Sequence, residues 1–225
     1  LLCHPHNPTG RAWSDDELRS MAELCFANEV LIVSDEIHCD LLRVGRRHTP
    51  LAKLYPDSDQ IVTCMSSSKT FNLAGLGLAN VIIPNDEIRT GWEDRHFPVV
   101  NPISAAAATA VFDRGDEWLA ALKTYLDANF ALVAEMLADG LPDAVFQIPD
   151  ATYLAWVDLG AYVPEELNLT TYFAERCGVL VEGGEKFVAD GGPCIRINLA
   201  YPRAQVEEAM TRIIDATRAL GPASG

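Results

Sequence analysis

Ile61-Val62-Thr63-Cys64-Met65-Ser66-Ser67-Ser68-Lys69-Thr70-Phe71-Asn72 joins an apolar, β-rich run to a cluster of hydroxyls with one lysine at its tip. The run has the length and the β-branched content of a strand, and the serines end it. Downstream, Leu73 to Pro84 is uncharged and closes on a second β-type run, Val81-Ile82-Ile83. Lys69 is therefore expected between two buried segments. A lysine partly removed from water gives up its proton more easily than one with the ordinary pKa of about 10.4, and can then act as nucleophile or base. Taken alone, a lysine at a strand end is most simply a solvated charge. The rest of the chain has to supply the other groups that a reactive lysine needs.

Working outward on the amino-terminal side, Val30-Leu31-Ile32-Val33-Ser34 is a continuous apolar run of the kind that forms a parallel strand buried on both faces, and it ends in Asp35-Glu36-Ile37-His38-Cys39-Asp40. Before it, Ser14 and Glu17 have capping-box spacing, and Leu18, Met21, Ala22 and Cys25 recur on one helical face up to Asn28. The chain opens with Leu1-Leu2-Cys3, which reads as the end of a strand, followed by His4-Pro5-His6-Asn7-Pro8-Thr9-Gly10, a tight non-helical loop. Three strands thus end in Asn7, Asp35 and Lys69. Open α/β sheets place ligands at the carboxyl ends of their strands, so these three side chains are expected to converge on one crevice.

On the carboxyl side, an alanine-rich segment from Ser104 to Val111 and a long stretch from Asp116 to Leu137 read as helices, with Gly140 and Pro142 ending the second. A different rhythm follows. Strands are expected at Thr152–Asp158, Val179–Val181 and Ile195–Leu199, with helices near Thr171–Cys177, closed by Gly178, and from Arg203 to Leu220. This gives residues 1–115 as one domain, 116–140 as a linking helix and 141–225 as a smaller α/β domain ending in an Ala-Ser-Gly tail.

The 225 residues are 49% hydrophobic, enough to bury a substantial core, and no apolar run approaches the roughly 20 residues of a membrane-spanning helix. A net charge of −15 argues against nucleic acid and anionic membranes as partners, because binding a polyanion requires lysine and arginine. Cys3, Cys25, Cys39, Cys64, Cys177 and Cys194 contain no C-x-x-C pair and lie mostly in apolar stretches, which suits reduced, buried thiols in a cytoplasmic protein. Zinc ligation by Cys3, His4, His6, His38 and Cys39 lacks the usual ligand spacing. The strand-like start without methionine suggests that an amino-terminal portion precedes Leu1.

Together these residues suit pyridoxal phosphate. A lysine that forms a Schiff base needs an electron sink, and the pyridine ring is a better one when its nitrogen holds a proton. A carboxylate about 4 Å from that nitrogen favours the protonated form by about 4 kcal/mol at an effective dielectric near 20. The motifs His6-Asn7-Pro8-Thr9-Gly10, Ser34-Asp35-Glu36-Ile37-His38, Ser66 to Asn72 and Ile195-Arg196-Ile197-Asn198-Leu199-Ala200, in that order, resemble the class I/II aminotransferase family of fold-type I pyridoxal-phosphate enzymes. The Asp-Glu-Ile-His form, Gly10-Arg11-Ala12-Trp13 and Ala151 to Trp156 look most like the cystathionine β-lyase-like carbon–sulfur lyases, whereas typical aminotransferases of the family carry tyrosine in place of His38.

The resemblance implies an α/β fold: part of a large domain with a mainly parallel sheet, plus a smaller carboxyl-terminal α/β domain. It makes Lys69 the Schiff-base lysine and Asp35 the partner of the ring nitrogen. Asn7 would bond the phenolic oxygen with His38 beside it, Ser66 and Ser68 would offer hydroxyls to the phosphate, and Arg196 would clamp the α-carboxylate of an amino-acid substrate. Without a substrate role, Arg196 reads as half of a structural salt bridge. A homodimer is expected. Many family members grip the phosphate with an arginine eight residues after the lysine, where this chain has Gly77. The phosphate-cradling helix and the ring-stacking aromatic precede the asparagine motif in the family. An aminotransferase and a catalytically silent binding or regulatory module are the competing readings.

Overall fold

The structure, a computed structural model, describes residues 1–95, 99–164, 166–187 and 191–220; Pro98 and the Ala-Ser-Gly tail lie outside them. The chain divides into two compact units, one of Leu1–Asn7, Arg11–Lys123 and Asp150–Thr152, the other of Pro8–Gly10, Thr124–Pro149 and Tyr153–Gly225.

The first unit is built on a sheet of order β1-β2-β3-β4, with β1 (Leu2–Cys3), β2 (Ile32–Asp35) and β3 (Ile61–Met65) parallel and β4 (Asn80–Ile82) antiparallel to β3. Helix α1 (Asp15–Ala27) starts at a complete Ser14/Glu17 capping box and ends at Asn28, as its spacing predicts. It buries Leu18 and Ala22 against Ile32, Ile61 and Leu51, the last on the short helix α2 (Leu51–Leu54). Each leucine or isoleucine fully buried there contributes about 1.5–3 kcal/mol. Helices α3 (Ser67–Thr70), α4 (Asp86–Glu93) and α5 (Pro102–Arg114) follow, and α6 (Asp116–Gly140) begins in this unit.

Two expectations are corrected here. Strand β2 begins at Ile32, because Val30 donates its N–H to Cys25 O to close α1, leaving Val30 and Leu31 48% and 38% exposed. Upstream of Lys69, Ile61–Thr63, Ser66 and Ser67 are buried, but downstream the burial stops at Thr70, for none of residues 71–82 is buried. The downstream run ends in β4, last in the strand order among the described residues, where Asn80, Val81 and Ile82 are exposed and only the following Ile83 is buried.

The second unit carries the antiparallel sheet β5-β6-β8-β7, formed by β5 (Val145–Phe146), β6 (Leu154–Asp158), β7 (Glu182–Gly183) and β8 (Cys194–Asn198). Helices α7 (Leu169–Cys177) and α8 (Arg203–Arg218) and the later part of α6 supply a core that includes Phe130, Phe173, Ile195 and Met210. Val179–Val181 is not a strand. Gly178 takes a left-handed φ of 69°, and the N–H groups of Gly178 and Val179 both bond Phe173 O, so these residues finish α7 instead. The strand expected from Thr152 starts at Leu154, since Thr152 has φ 71° and donates its N–H to Leu41 O.

All six cysteines are free, but only Cys194 is buried; Cys3, Cys39 and Cys64 occupy strand ends and turns, where apolar sequence context does not mean apolar surroundings. No described helix is long and apolar enough to cross a membrane.

Candidate active site

Sheet register puts Cys3, Asp35 and Cys64 side by side on β1, β2 and β3. The last ladder bonds at that level are His4 N–H to Asp35 O at 2.9 Å and Glu36 N–H to Cys64 O at 2.8 Å. Beyond them the three strands end together. Asn7 lies four residues past Cys3, and Lys69 five residues past Cys64, so the residues expected to meet are carried on one edge of one sheet.

Asp35 is half-buried, and its Oδ1 accepts the Ile37 N–H at 3.1 Å, which fixes the carboxylate at the head of the turn Ile37–Asp40. Burial, and to a lesser degree the negative charge of Asp35, pushes the thiols of Cys3 and Cys64 up, so both neighbours stay protonated beside it. His38, inside that turn, is buried, whereas Asn7 is exposed and takes its backbone N–H to Cys3 Sγ at 3.4 Å.

Lys69 is in α3, one turn of helix rather than the bare strand tip its sequence suggests. Ser66 caps this helix: its Oγ accepts the Ser68 N–H at 3.0 Å and donates to Leu78 O at 2.6 Å. The Ser66 hydroxyl proton is thereby engaged, while the Ser68 Oγ makes no hydrogen bond among the described residues. Lys69 is half-buried and forms neither ion pair nor hydrogen bond among the described residues. A solvated surface lysine would stand further out, and a structural one would have an acid beside it. Among the described residues this amine has no partner to displace, which is what a carbonyl-binding lysine requires.

The donor set on this edge fits the ring end of pyridoxal phosphate: an amine without a partner, an oriented carboxylate and a neutral amide. Gly77, eight residues after Lys69, has φ 58°, a conformation that favours glycine over arginine.

Arg196 belongs to the second unit. It lies on β8 opposite Glu182 of β7, forms an ion pair with that carboxylate, and has its guanidinium carbon 5.1 Å from the centre of the Phe187 ring. Burial lowers its pKa, and Tyr153 opposes the shift. Sequence reading missed Glu182 because the expected strand ended one residue earlier. It also passed over Thr70, whose Oγ1 donates to Asp40 Oδ2 at 2.9 Å, and Glu36, whose buried carboxylate meets His48 Nε2 at 2.6 Å.

Residues 1–213 match the family model described as aminotransferase class I and II. The chain is 36% identical over 218 residues to cystathionine beta-lyase PatB of Bacillus subtilis, covering 95% of this chain and 56% of that protein. Protein MalY of Escherichia coli is 34% identical, with 98% and 57% covered. Among solved structures, the PLP-bound C-S lyase of Staphylococcus hominis superposes with a TM-score of 0.93 at 44% identity, covering 96% of this chain and 56% of that one. The chain therefore spans about half the length of the curated relatives it matches.

Proposed function

Because the chain belongs to the class I and II aminotransferase family, we propose that this protein is a pyridoxal-phosphate-dependent carbon–sulfur β-lyase acting on an amino acid such as cystathionine or a cysteine conjugate. When bound, pyridoxal phosphate supplies a carbonyl for an amine and a ring that draws electrons from the substrate α-carbon. The observation that carries the reading is the half-buried Lys69, without a partner among the described residues, following β3 as Asp35 ends the neighbouring β2.

Each residue then has a defined task. Lys69 Nζ would hold the cofactor through its carbonyl and, with its amine free, would take the substrate α-proton as general base. Asp35 keeps a proton on the ring nitrogen. Asn7 bonds the phenolic oxygen, the buried His38 packs beside it, and Ser68, with Ser66 where Leu78 O can be exchanged, faces the phosphate. Arg196 receives the substrate carboxylate in a bidentate pair, in competition with Glu182. With the α-proton gone, the electron pair expels the β-thiolate, the C–S bond breaks, and hydrolysis of the remainder yields pyruvate and ammonia.

Kinship with the lyases PatB and that of S. hominis supports this branch over transamination, in which Lys69 would return the proton to the cofactor and a keto acid would form. The homodimer, the cytoplasmic setting and the joining role of residues 116–140 are part of the same proposal.

The test is an absorbance spectrum of the full-length gene product with pyridoxal phosphate, followed by L-cystathionine with assays for pyruvate and thiol. A visible cofactor band that is absent in Lys69→Ala, with stoichiometric pyruvate and thiol, is expected. Conversion to the pyridoxamine form without thiol would replace the lyase by an aminotransferase. Identical spectra for wild type and Lys69→Ala would sink the cofactor assignment and leave a silent binding module.

A further inference from the structure

A helix of four residues cannot hold itself, because nucleating one turn costs more than its first hydrogen bond returns. Helix α3 carries Lys69, so its position depends on what grips its two ends. At the amino end the grip is Ser66, through Ser68 N–H and Leu78 O. At the carboxyl end Phe71 packs on Trp118 at 5.5 Å between ring centres, and Thr70, 1% exposed, donates its hydroxyl to Asp40 Oδ2 at 2.9 Å.

Asp40 is the last residue of the turn that follows Asp35 and contains His38. A bond from Thr70 to Asp40 therefore ties the residue beside the lysine to the turn beside the aspartate, across thirty positions of sequence. The acceptor is a carboxylate and the donor is buried, the combination in which a hydrogen bond is strongest. The neighbouring Cys39 thiol, pushed up to about 12 by burial and by Asp40, stays protonated and adds no second charge at this junction.

We propose that Thr70 and Asp40 are positioning residues: their hydrogen bond sets the Lys69 amine in register with Asp35 and His38, so that the same lysine can serve first as anchor and then as base. The proposal rests on the lyase reading above. A misplacement of about 1 Å in a reacting group lowers rates by roughly a hundredfold, so a lost register is read in turnover before it is read in binding.

The experiment uses the full-length gene product loaded with pyridoxal phosphate and compares wild type, Thr70→Val, Thr70→Ser and Asp40→Ala. Valine keeps the shape without the hydroxyl, and serine restores the hydroxyl. For Thr70→Val and Asp40→Ala, kcat for thiol release is expected to fall about ten- to a hundredfold with KM within about twofold, and the α-deuterium isotope effect on kcat/KM to rise. Thr70→Ser is expected to stay within about threefold of wild type. Borohydride reduction followed by mass spectrometry supplies a reading independent of turnover: cofactor fixed on Lys69 should form more slowly in Thr70→Val. If Thr70→Val does not fold, Asp40→Ala decides on the same measurements. Variants that melt earlier yet keep kcat, isotope effect and reduction rate make the bond merely structural and overturn the proposal. A wild type with no cofactor reducible onto Lys69 refutes the lyase reading itself, whereas a loaded wild type matched by Thr70→Val refutes the positioning role alone.

Discussion

Asp35 and Glu36 are neighbours with opposite surroundings. Asp35 is half-buried at the crevice, while Glu36 is 2% exposed and its carboxylate accepts from Ser34 Oγ at 2.9 Å, His48 Nε2 at 2.6 Å and Leu51 N–H at 3.1 Å. A buried carboxylate persists only with such donors. Asp35 was legible as a polar group ending an apolar strand, but nothing local distinguishes Glu36 from a solvated acid, since two of its three donors lie more than ten positions away. The network continues through His48 to His4, whose rings are 4.5 Å apart. His4 Nδ1 accepts the Trp13 N–H at 3.3 Å, so Nε2 carries the proton and faces Thr49 O at 3.2 Å. A second ring proton would point at the Trp13 N–H. Burial and His48 accordingly hold the His4 pKa below its ordinary 6.5, against the opposing pull of Thr49 O, Glu36 and Asp15. The unfolded chain then binds more protons than the folded one in the range below 6.5, so the His4 contribution is complete above pH 6.5 and is lost as pH falls. Urea midpoints measured from pH 8 to 5.5 should drop less in His4→Asn than in wild type. His6, also shifted down by burial and Arg11, titrates in the same direction and calls for the parallel variant His6→Asn. Equal slopes in wild type and His4→Asn would show that His4 protonation does not couple to folding.

Elements with their own local signals were readable, and those defined by partners were not. The capping box located α1 to the residue, the Ile61–Met65 run is β3 as predicted, and Gly178 stops α7 where glycine was expected to. By contrast α2, α3 and α4 escaped, the first and third because four and eight residues show too little periodicity, and α3 because serines read as a strand terminator while Ser66 in fact begins a helix. At the proposed site, the positions of Asn7, Asp35 and Lys69 after three neighbouring strands were legible from the strand pattern, but the grip on α3 depends on long-range contacts. One of these involves Gly115, the C-cap of α5. Its φ of −88° is open to any residue, so conformation does not demand glycine there. Space does: a Cβ would lie 2.3 Å from Val111 O and 2.6 Å from Phe71 Cε1. Phe71 directly follows Thr70 and is stacked on Trp118, so the displacement would reach the helix that carries Lys69. Gly115→Ala is expected to destabilise the protein by about 1–3 kcal/mol, as overpacking does, and to slow turnover as well. Chemical denaturation with a parallel activity assay checks both. A variant of undiminished stability would mean that Phe71 has room to move and does not help fix α3.

At the scale of the whole molecule the two units differ in how much they bury. The first unit's sheet rests on a small cluster, Leu18, Ala22, Ile32, Leu51 and Ile61, and its strand β4 and helix α4 contain no buried residue. The second unit packs α6, α7 and α8 on one face of its antiparallel sheet around a far larger cluster, in which Phe130, Phe173, Ile195, Leu199, Met210 and Ile213 are all at 0% exposure. Apolar area removed from water is the main favourable term in folding, at about 25 cal/mol per Å², so local opening should be far easier in the first unit. Asn129 strengthens the second: it is fully buried, donates through Nδ2 to Leu199 O at 2.9 Å and Tyr201 O at 3.1 Å, and accepts from Arg203 Nε at 3.1 Å, which pins the β8–α8 connection to α6. The unit that carries Lys69 and Asp35 is thus expected to open more easily, which suits the site proposed there, since admitting a substrate and releasing products draws on such a region. Amide hydrogen exchange of the 225-residue chain tests this directly. Amides of β4 and α4 should exchange first, those of β2 and β3 next, and those of β6, β8 and α8 last, with the slowest group reporting the stability of the second unit. If β2 and β3 are as protected as β8, the whole chain opens in one cooperative step, and the smaller core of the first unit does not set its stability.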